Sequence, residues 1–325
     1  MKTVTVKSSS RLHFGLMDLS AISPRVDGGV GISIGEPSVE VTISPNHGLC
    51  INGSEDTVII CKNAIDKLSE IIKDFDFKVD IKTNSMSHIG LGLGTQCALS
   101  VAKAIAAYFD LKINSLELAT LVQRGGTSAV GVYSFYVGGF IVEGGRLWNY
   151  EKTSFGPSSM FAFKKLPPLI ARHEFPQWGI CIVVPKQKKR INGIEEWKLF
   201  KEFTPVPVCE VDEACKWTLM GMIPSVVTHN FSSFCESLVK YQSVGFKRKE
   251  IEYADIAVHK SMELLKSHGF QGIGMSSWGP AVFGFAENIL EANKLAEGIN
   301  KEAYVDKVWV VTGNNSGAVV SIATE

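Results

Sequence analysis

The sequence predicts an α+β protein in two lobes, and three observations carry that prediction. Strand-like alternation fills the first 45 residues, long apolar stretches with helical spacing occupy the middle, and a strand–helix–strand pattern ends the chain.

The elements follow in order. "KTVTVKSS", "GVGISIG" and "SVEVTISP" alternate or are β-branched, with Gly and Pro punctuation, and read as strands. In "IICKNAIDKLSEIIKDF", Ile65, Leu68, Ile72 and Phe75 fall near helical spacing and predict an amphipathic helix. "FKVDIKT" is a further strand leading into "SHIGLGLGTQ", where Gly90, Gly92 and Gly94 put three glycines in five residues. From Thr95 to Phe109 small and apolar residues run almost unbroken, the mark of a buried helix. "SLELATLVQRG" is a shorter helix capped by Ser115, and "FYVGGFIVEGGRL" reads as two strands around a turn. Three prolines in "KKLPPLIARHEFP" place a boundary near Phe163 to Pro176, giving domains 1–165 and 166–325. Beyond it, "WGICIVVP" is a buried strand and "PKQKKRINGIEEWKLF" a basic loop that becomes helical. Residues 210–268 are mainly helical, broken by an extended "GMIPSVVTHN". "GIGMSSWGPAVFGFA", a helix and "KVWVVTG" form the last unit.

Composition narrows the function. With 45% hydrophobic and 20% charged residues, the 325-residue chain has the balance of a soluble globular protein. Its 33 basic residues match 33 acidic ones, so charge gives no reason to expect nucleic acid or a membrane as partner. Seven cysteines without a CxxC pair make neither a disulfide nor a zinc framework, and Cys97 and Cys181 lie in apolar runs, as expected in a reducing compartment. "MKTVTVKSSS" lacks an apolar signal core. The most apolar stretch, Ala129 to Val142, is shorter than the roughly 20 residues of a membrane span. A cytoplasmic protein is expected.

The glycine loop is the first chemical signal. A helix N-terminus offers unpaired N–H groups and partial positive charge, and glycines let backbone approach an anion closely. Thr95 and Gln96 follow with polar side chains. The loop lacks the GK[ST] ending of a P-loop and the sixth-position glycine of a dinucleotide fingerprint, so a tight strand-to-helix turn explains it equally well.

"SRLHFGLMD" after the first strand and the late loop "GIGMSSWGP" complete a pattern that resembles the GHMP small-molecule kinase superfamily. That resemblance implies an N-terminal ribosomal-protein-S5-like lobe and a C-terminal ferredoxin-like lobe, with the central loop on phosphates. Kinases of this kind carry SGxD followed by GG, the Asp acting as base. Here, in "GGTSAVGVYSFYVGG", Ser128 takes the serine position and Gly131 the aspartate position. Glycine cannot accept a proton, so the general-base role has no carrier there.

"SRLHFGLMDLS", "RVDGGVGISI", "HIGLGLGTQ", "RGGTSAVGV…GGFIVEGG" and "GMSSWGPAVFGF" together resemble the β-ribofuranosylaminobenzene 5′-phosphate synthase family, a branch of that superfamily. Leu93 departs from the family's usual serine and Ala129 from its glycine. The resemblance implies a methanopterin-pathway transferase joining 5-phosphoribosyl-1-pyrophosphate to 4-aminobenzoate, with release of pyrophosphate and carbon dioxide. It also implies Mg²⁺ and a homodimer. An ATP-dependent GHMP kinase, a relative using another aromatic carboxylate and a binding-only relative are the alternatives.

The reaction suggests roles. Arg11 and His13 alternate on an extended segment and would face one side of the site; a surface ion pair and a structural imidazole are the plainer explanations. Asp18 and Asp27 suit Mg²⁺ or ribose hydroxyls, or simply turns. His88, Gly90, Gly92, Gly94, Thr95 and Gln96 would hold pyrophosphate. Arg124, Thr127 and Ser128 would meet the ribose phosphate, with Arg25 a weaker candidate; Arg124 would equally complement a helix C-terminus. Ser276, Ser277 and Trp278 would bind the aromatic acceptor, unless Trp278 is a buried ring beside a turn. "KQKKR" reads as a solvated loop and Glu195–Glu196 as a helix surface.

Overall fold

The computed structural model describes residues 2–72, 74–85, 89–157, 161, 163–186 and 193–324. Its strands are β1 (Lys2–Asp18), β2 (Arg25–Pro45), β3 (Cys50–Asn52), β4 (Phe77–Thr83), β5 (Phe140–Glu143), β6 (Arg146–Leu147), β7 (Leu169–His173), β8 (Gly179–Pro185), β9 (Gln271–Met275), β10 (Val282–Ala286), β11 (Val305–Thr312) and β12 (Val319–Thr324). The helices are α1 (Glu55–Leu68), α2 (Leu93–Tyr108), α3 (Ser115–Leu121), α4 (Val130–Tyr136), α5 (Gly193–Phe203), α6 (Val208–Lys216), α7 (Ile223–Val227), α8 (Phe231–Gln242), α9 (Gly245–Glu252), α10 (Ile256–Ser267) and α11 (Ile289–Leu295). Among the described residues no helix is long and apolar enough to cross a membrane.

The first sheet runs β12-β1-β2-β4-β3, with β5 and β6 also paired to β2 and β7 to β5. "KTVTVKSS" and "SRLHFGLMD" are one strand, β1, whose pairing with β2 shifts register between Ser9 and Arg11 and again between His13 and Gly15. Such irregularities bend a strand and re-aim its side chains. The second sheet, β11-β8-β10-β9, is antiparallel throughout. Strands β7 and β12, both beyond residue 165, pair in the first sheet.

Period-2 alternation makes β8 serve two cores. Ile180, Ile182 and Val184 join the large core shared with β1, β2 and α2, while Cys181 and Val183 join a smaller one with Val258, Leu265 and Ala292 of α10 and α11. Phe14 ties the sheets together, its ring centroid 5.5 Å from Phe283 and 6.5 Å from Phe285. The helix predicted from Thr95 to Phe109 is α2, buried along most of its length.

Three local expectations are corrected. The cap of α3 is Asn114 rather than Ser115; its side chain accepts from the Glu117 N–H. "FYVGGFIVEGGRL" begins inside α4, and β5 and β6 each pair with β2 rather than with each other. "GMIPSVVTHN" is not extended: a π-helical turn, Trp217–Met222, runs into α7. Pro224 lies where the π-helical turn passes into α7, and Met222 and Val226 are buried.

Candidate active site between the lobes

The glycine loop, β1 and the late loop meet through their backbones. Arg11 N–H donates to Leu91 C=O at 3.1 Å, Ser277 N–H to His13 C=O at 3.0 Å, and Ala281 N–H to Ile89 C=O at 3.2 Å. Ser276 Oγ donates to Gly90 C=O at 2.6 Å and accepts from His13 N–H at 3.0 Å. Arg11 also donates to Gly90 C=O. Gly90 and Gly92 are left-handed, with φ of 82° and 75°. A Cβ on Gly90 would lie 2.4 Å from Ser276 O, and one on Gly92 3.2 Å from Arg11 Cγ. These glycines are needed because other chain passes so close.

Beside this junction lies a cavity of about 670 Å³, within the usual range for small-molecule sites. One wall is cationic: Lys67 on α1 and Arg124 at the end of the α3 loop, with Asn63 and Gln123. Arg124 Nε is buried without a hydrogen-bond partner among the described residues. Burial and then the Arg124 charge hold the Lys67 ammonium below its ordinary range. Burial likewise lowers Arg124, and no carboxylate is among the charges acting on either. Unpaired cations at a cavity wall favour an anionic ligand.

Another part of the lining is aromatic and acidic. It carries Phe161, Phe200 and Trp278 with Glu196 and Glu250. Glu196 accepts a hydrogen bond from the Trp278 indole, and burial, reinforced by Glu250, pushes its carboxyl up to about 7. Glu250 is ion-paired with Lys247 at 2.8 Å, and Lys247 Nζ also donates to Ser277 C=O at 2.6 Å.

Arg11, His13, Thr95, Thr127, Ser128, Gly131 and Ser277 complete the lining. Desolvation of the half-buried Arg11 lowers its pKa to about 10 despite Glu250. His13 Nε2 lies 3.0 Å from Ser128 Oγ, while Nδ1 is buried without a partner among the described residues. Burial, then the Arg11 and Lys247 charges, hold the imidazole well below its usual range, so it is neutral near neutral pH. Behind Ser128 stands Glu143, fully buried at the end of β5. It is bonded by Ser128, by Ala129 N–H at 3.3 Å and by Gly145 N–H at 2.8 Å, yet burial dominates and raises its carboxyl to about 7. His13, Ser128 and Glu143 thus form a chain from cavity to core.

The predicted residues do not all converge. Arg11, His13, Thr95, Arg124, Thr127, Ser128, Ser277 and Trp278 line the cavity; Gly90, Gly92 and Gly94 do not. Gln96 is buried, its side-chain N–H bonded to Gly131 C=O at 2.8 Å. Ser276 is buried in the lobe junction. Both carboxylate oxygens of Asp27 accept from Lys152 Nζ at 2.8 Å, and neither Asp27 nor Asp18 lines the cavity. Asp18 Oδ1 accepts from Ser20 N–H and Oγ. Arg25 donates to Gly144 and Gly145 carbonyls, bracing the turn after β5. His88 and residues 187–190 of "KQKKR" lie outside the described residues.

Sequence reasoning missed Lys67, Glu143, Arg146, Glu196 and Glu250. Arg146 is buried and donates to the carbonyls of Gly125, Gly126 and Lys165, holding the "GGTS" loop. Glu196 faces the cavity instead of a helix surface, and the signal was there: Leu199 and Phe200 follow at i+3 and i+4 and are buried. Glu143 was visible as one acidic residue ending the apolar "FIVE".

Comparison with known proteins completes the assignment. Residues 59–139 match the GHMP kinases N terminal domain. The solved homoserine kinase of Cytophaga hutchinsonii shares the fold with a TM-score of 0.67 at 15% identity, covering 98% of this chain and 97% of that one. Beta-ribofuranosylphenol 5′-phosphate synthase of Methanothermobacter thermautotrophicus is 34% identical over 96% of this chain and 97% of its own. The Methanocaldococcus jannaschii protein of the same name is 33% identical over 96% and 98%. With its glycine loop, its lobe junction and near-full-length similarity to these enzymes, the chain belongs to the β-ribofuranosylphenol 5′-phosphate synthase family of the GHMP superfamily.

Proposed function

We propose that this enzyme transfers the phosphoribosyl group of 5-phosphoribosyl-1-pyrophosphate to the carboxylate-bearing ring carbon of a para-substituted benzoate, releasing pyrophosphate and carbon dioxide. A relative named for a ribofuranosylphenol product points to 4-hydroxybenzoate as acceptor; 4-aminobenzoate, the first expectation from the motifs, is the close alternative. The observation that carries the proposal is Gly131. It takes the motif position at which the kinases carry their aspartate, it lines the cavity, and its carbonyl is bonded by Gln96. Acid–base help of that kind is worth about a hundred- to ten-thousandfold, and a phosphoryl transfer to an alcohol would forgo it.

The reaction proposed here asks for different groups. As the anomeric C–O bond breaks, negative charge builds on pyrophosphate and positive charge on the ribosyl ring. Lys67, Arg124 and the Thr95 hydroxyl suit the phosphates, and Arg11 suits a phosphate or the acceptor carboxylate. The aromatic wall holds the ring at attack distance. Among the described residues no group of three or more His, Cys, Asp or Glu side chains is placed to hold a metal, and Asp27 is spent on Lys152. Mg²⁺ enters the proposal as a ligand of the substrate's pyrophosphate.

Incubation with 5-phosphoribosyl-1-pyrophosphate, Mg²⁺ and each acid should give pyrophosphate, carbon dioxide and a C-glycoside in equal amounts. Conversion of ATP to ADP with a small alcohol, and none of these products, would overturn the proposal.

A further inference from the structure

We propose that Glu196 reads the para substituent of the aromatic acceptor, accepting its O–H or N–H and, for a phenol, holding that proton while the new C–C bond forms. The assignment rests on the phosphoribosyl-transfer reading above.

The argument begins with where charge must go. When the ring carbon that bears the carboxylate bonds to the anomeric carbon, the pair in the old C–O bond leaves with pyrophosphate. The ring then carries positive charge, and resonance delivers it to the para heteroatom. A phenol discharges it by passing its O–H proton to a base, leaving a neutral dienone. Carbon dioxide next departs, its C–C pair restores the aromatic ring, and the phenolate oxygen takes the proton back. Protons and electrons balance with no further reactant. A base at the para position eases this step by drawing charge off the ring, at a place remote from the bond being made, and for an amine an acceptor of the developing N–H charge serves instead.

Glu196 has the properties that this step needs. It lies on the aromatic wall, and the Trp278 indole N–H fixes one side of its carboxyl. Trp278 and Phe200, centroids 6.1 Å apart, flank it with ring faces and edges suited to an aromatic acid. The charged groups that bear on this corner are Glu250 and Lys247 of α9 and Arg11 of β1. Lys247 is committed to Glu250 and Ser277, so Glu250 is not an available proton acceptor. His13, also on the lining, is held neutral with its Nε2 against Ser128. The Glu196 carboxyl is poised close to neutrality, where a base can take and return a proton within one turnover. Lys67 and Arg124 also line the cavity, and neither is among the charges acting on Glu196, so they suit the anionic end of a ligand whose donor-bearing end meets Glu196.

Glu196→Gln keeps an acceptor for the indole and removes the base. With the full-length enzyme, kcat/KM for 4-hydroxybenzoate should fall about a hundredfold or more. The loss for 4-aminobenzoate should be smaller, the affinity for 5-phosphoribosyl-1-pyrophosphate should be unchanged, and the Tm at neutral pH should be no lower than that of the wild type. The rise in 4-hydroxybenzoate turnover through pH of about 7 should vanish in the variant. Unchanged kcat/KM, equal loss on both acids, or a persisting rise would overturn the assignment while leaving the phosphoribosyl-transfer reading in place. Calorimetry with 4-hydroxybenzoate and 4-methoxybenzoate gives a readout that needs no turnover. Wild-type preference for the hydroxyl, abolished by Glu196→Gln, supports the assignment even if no C-glycoside forms. Equal preference in both proteins counts against it.

Discussion

Two loops of this protein are rich in glycine and do different work. The loop at Ile89–Gly94 turns inward and lends its carbonyls to Arg11, Ser276 and Ala281, so it bonds one lobe to the other. The loop at Gly125–Ser128 faces the cavity and is gripped from behind by Arg146. A glycine therefore records that something passes close to the backbone; what passes decides whether the loop is a joint or a binding surface. Placing alanine in each loop sharpens this contrast. At Gly90 the new Cβ would sit 2.4 Å from a backbone oxygen with φ at +82°; at Gly125 it would meet the end of the flexible Leu166 side chain at 2.5 Å with φ at +98°. Both substitutions are strained, but only Leu166 can move aside. Gly90→Ala should cost about 4 kcal/mol or more in denaturant unfolding, and Gly125→Ala roughly half of that. Equal losses would show that the lobe junction is looser than these distances require.

Glu143 tests the second loop from behind. Its carboxyl has an ordinary value of 4.5 and a folded value of about 7, so the folded state holds a proton that the unfolded chain has released. Stability is therefore greatest below the lower value and falls as pH rises through the interval. At full burial this is worth up to about 3 kcal/mol. Glu143→Gln lacks this term, so its stability relative to wild type should improve between about pH 5 and about pH 8 by an amount of that order. A pH-independent difference would mean that the carboxyl is ionised throughout and that His13 and Ser128 face an anion.

How much of this was legible in sequence depends on how local each cause is. The alternation of β1, the apolar run of α2 and the glycines at 90 and 92 are local, and the family's motifs placed them in order. Arg11 and His13 could be put on one face because a strand fixes alternation. The sequence offers Asp27 as an oxygen donor or a turn residue because nothing nearby announces Lys152, 125 residues away, on its carboxylate. Glu196 was read as surface because its partner, Trp278, arrives from the other end of the chain. Pairings across the fold, rather than residue types, decided which polar groups reach the cavity.

Arg124 and Lys67 separate binding from structure on the cationic wall. A structural arginine stabilises the fold, whereas this one is desolvated with Nε unpaired, so Arg124→Met should leave Tm equal or higher. Its loss from a phosphate should weaken 5-phosphoribosyl-1-pyrophosphate binding by about 1.5–3 kcal/mol, roughly ten- to a hundredfold. Lys67 carries the same charge on the same wall but is exposed, so water and salt already screen it. Lys67→Met should therefore weaken the same binding only a few-fold, by under about 1 kcal/mol, and raising the ionic strength should shrink that difference further while leaving most of the Arg124 effect. If the two substitutions behaved alike in salt, the anion would be sitting at the cavity mouth rather than against the second glycine loop, and the contrast between the two loops would lose its functional half.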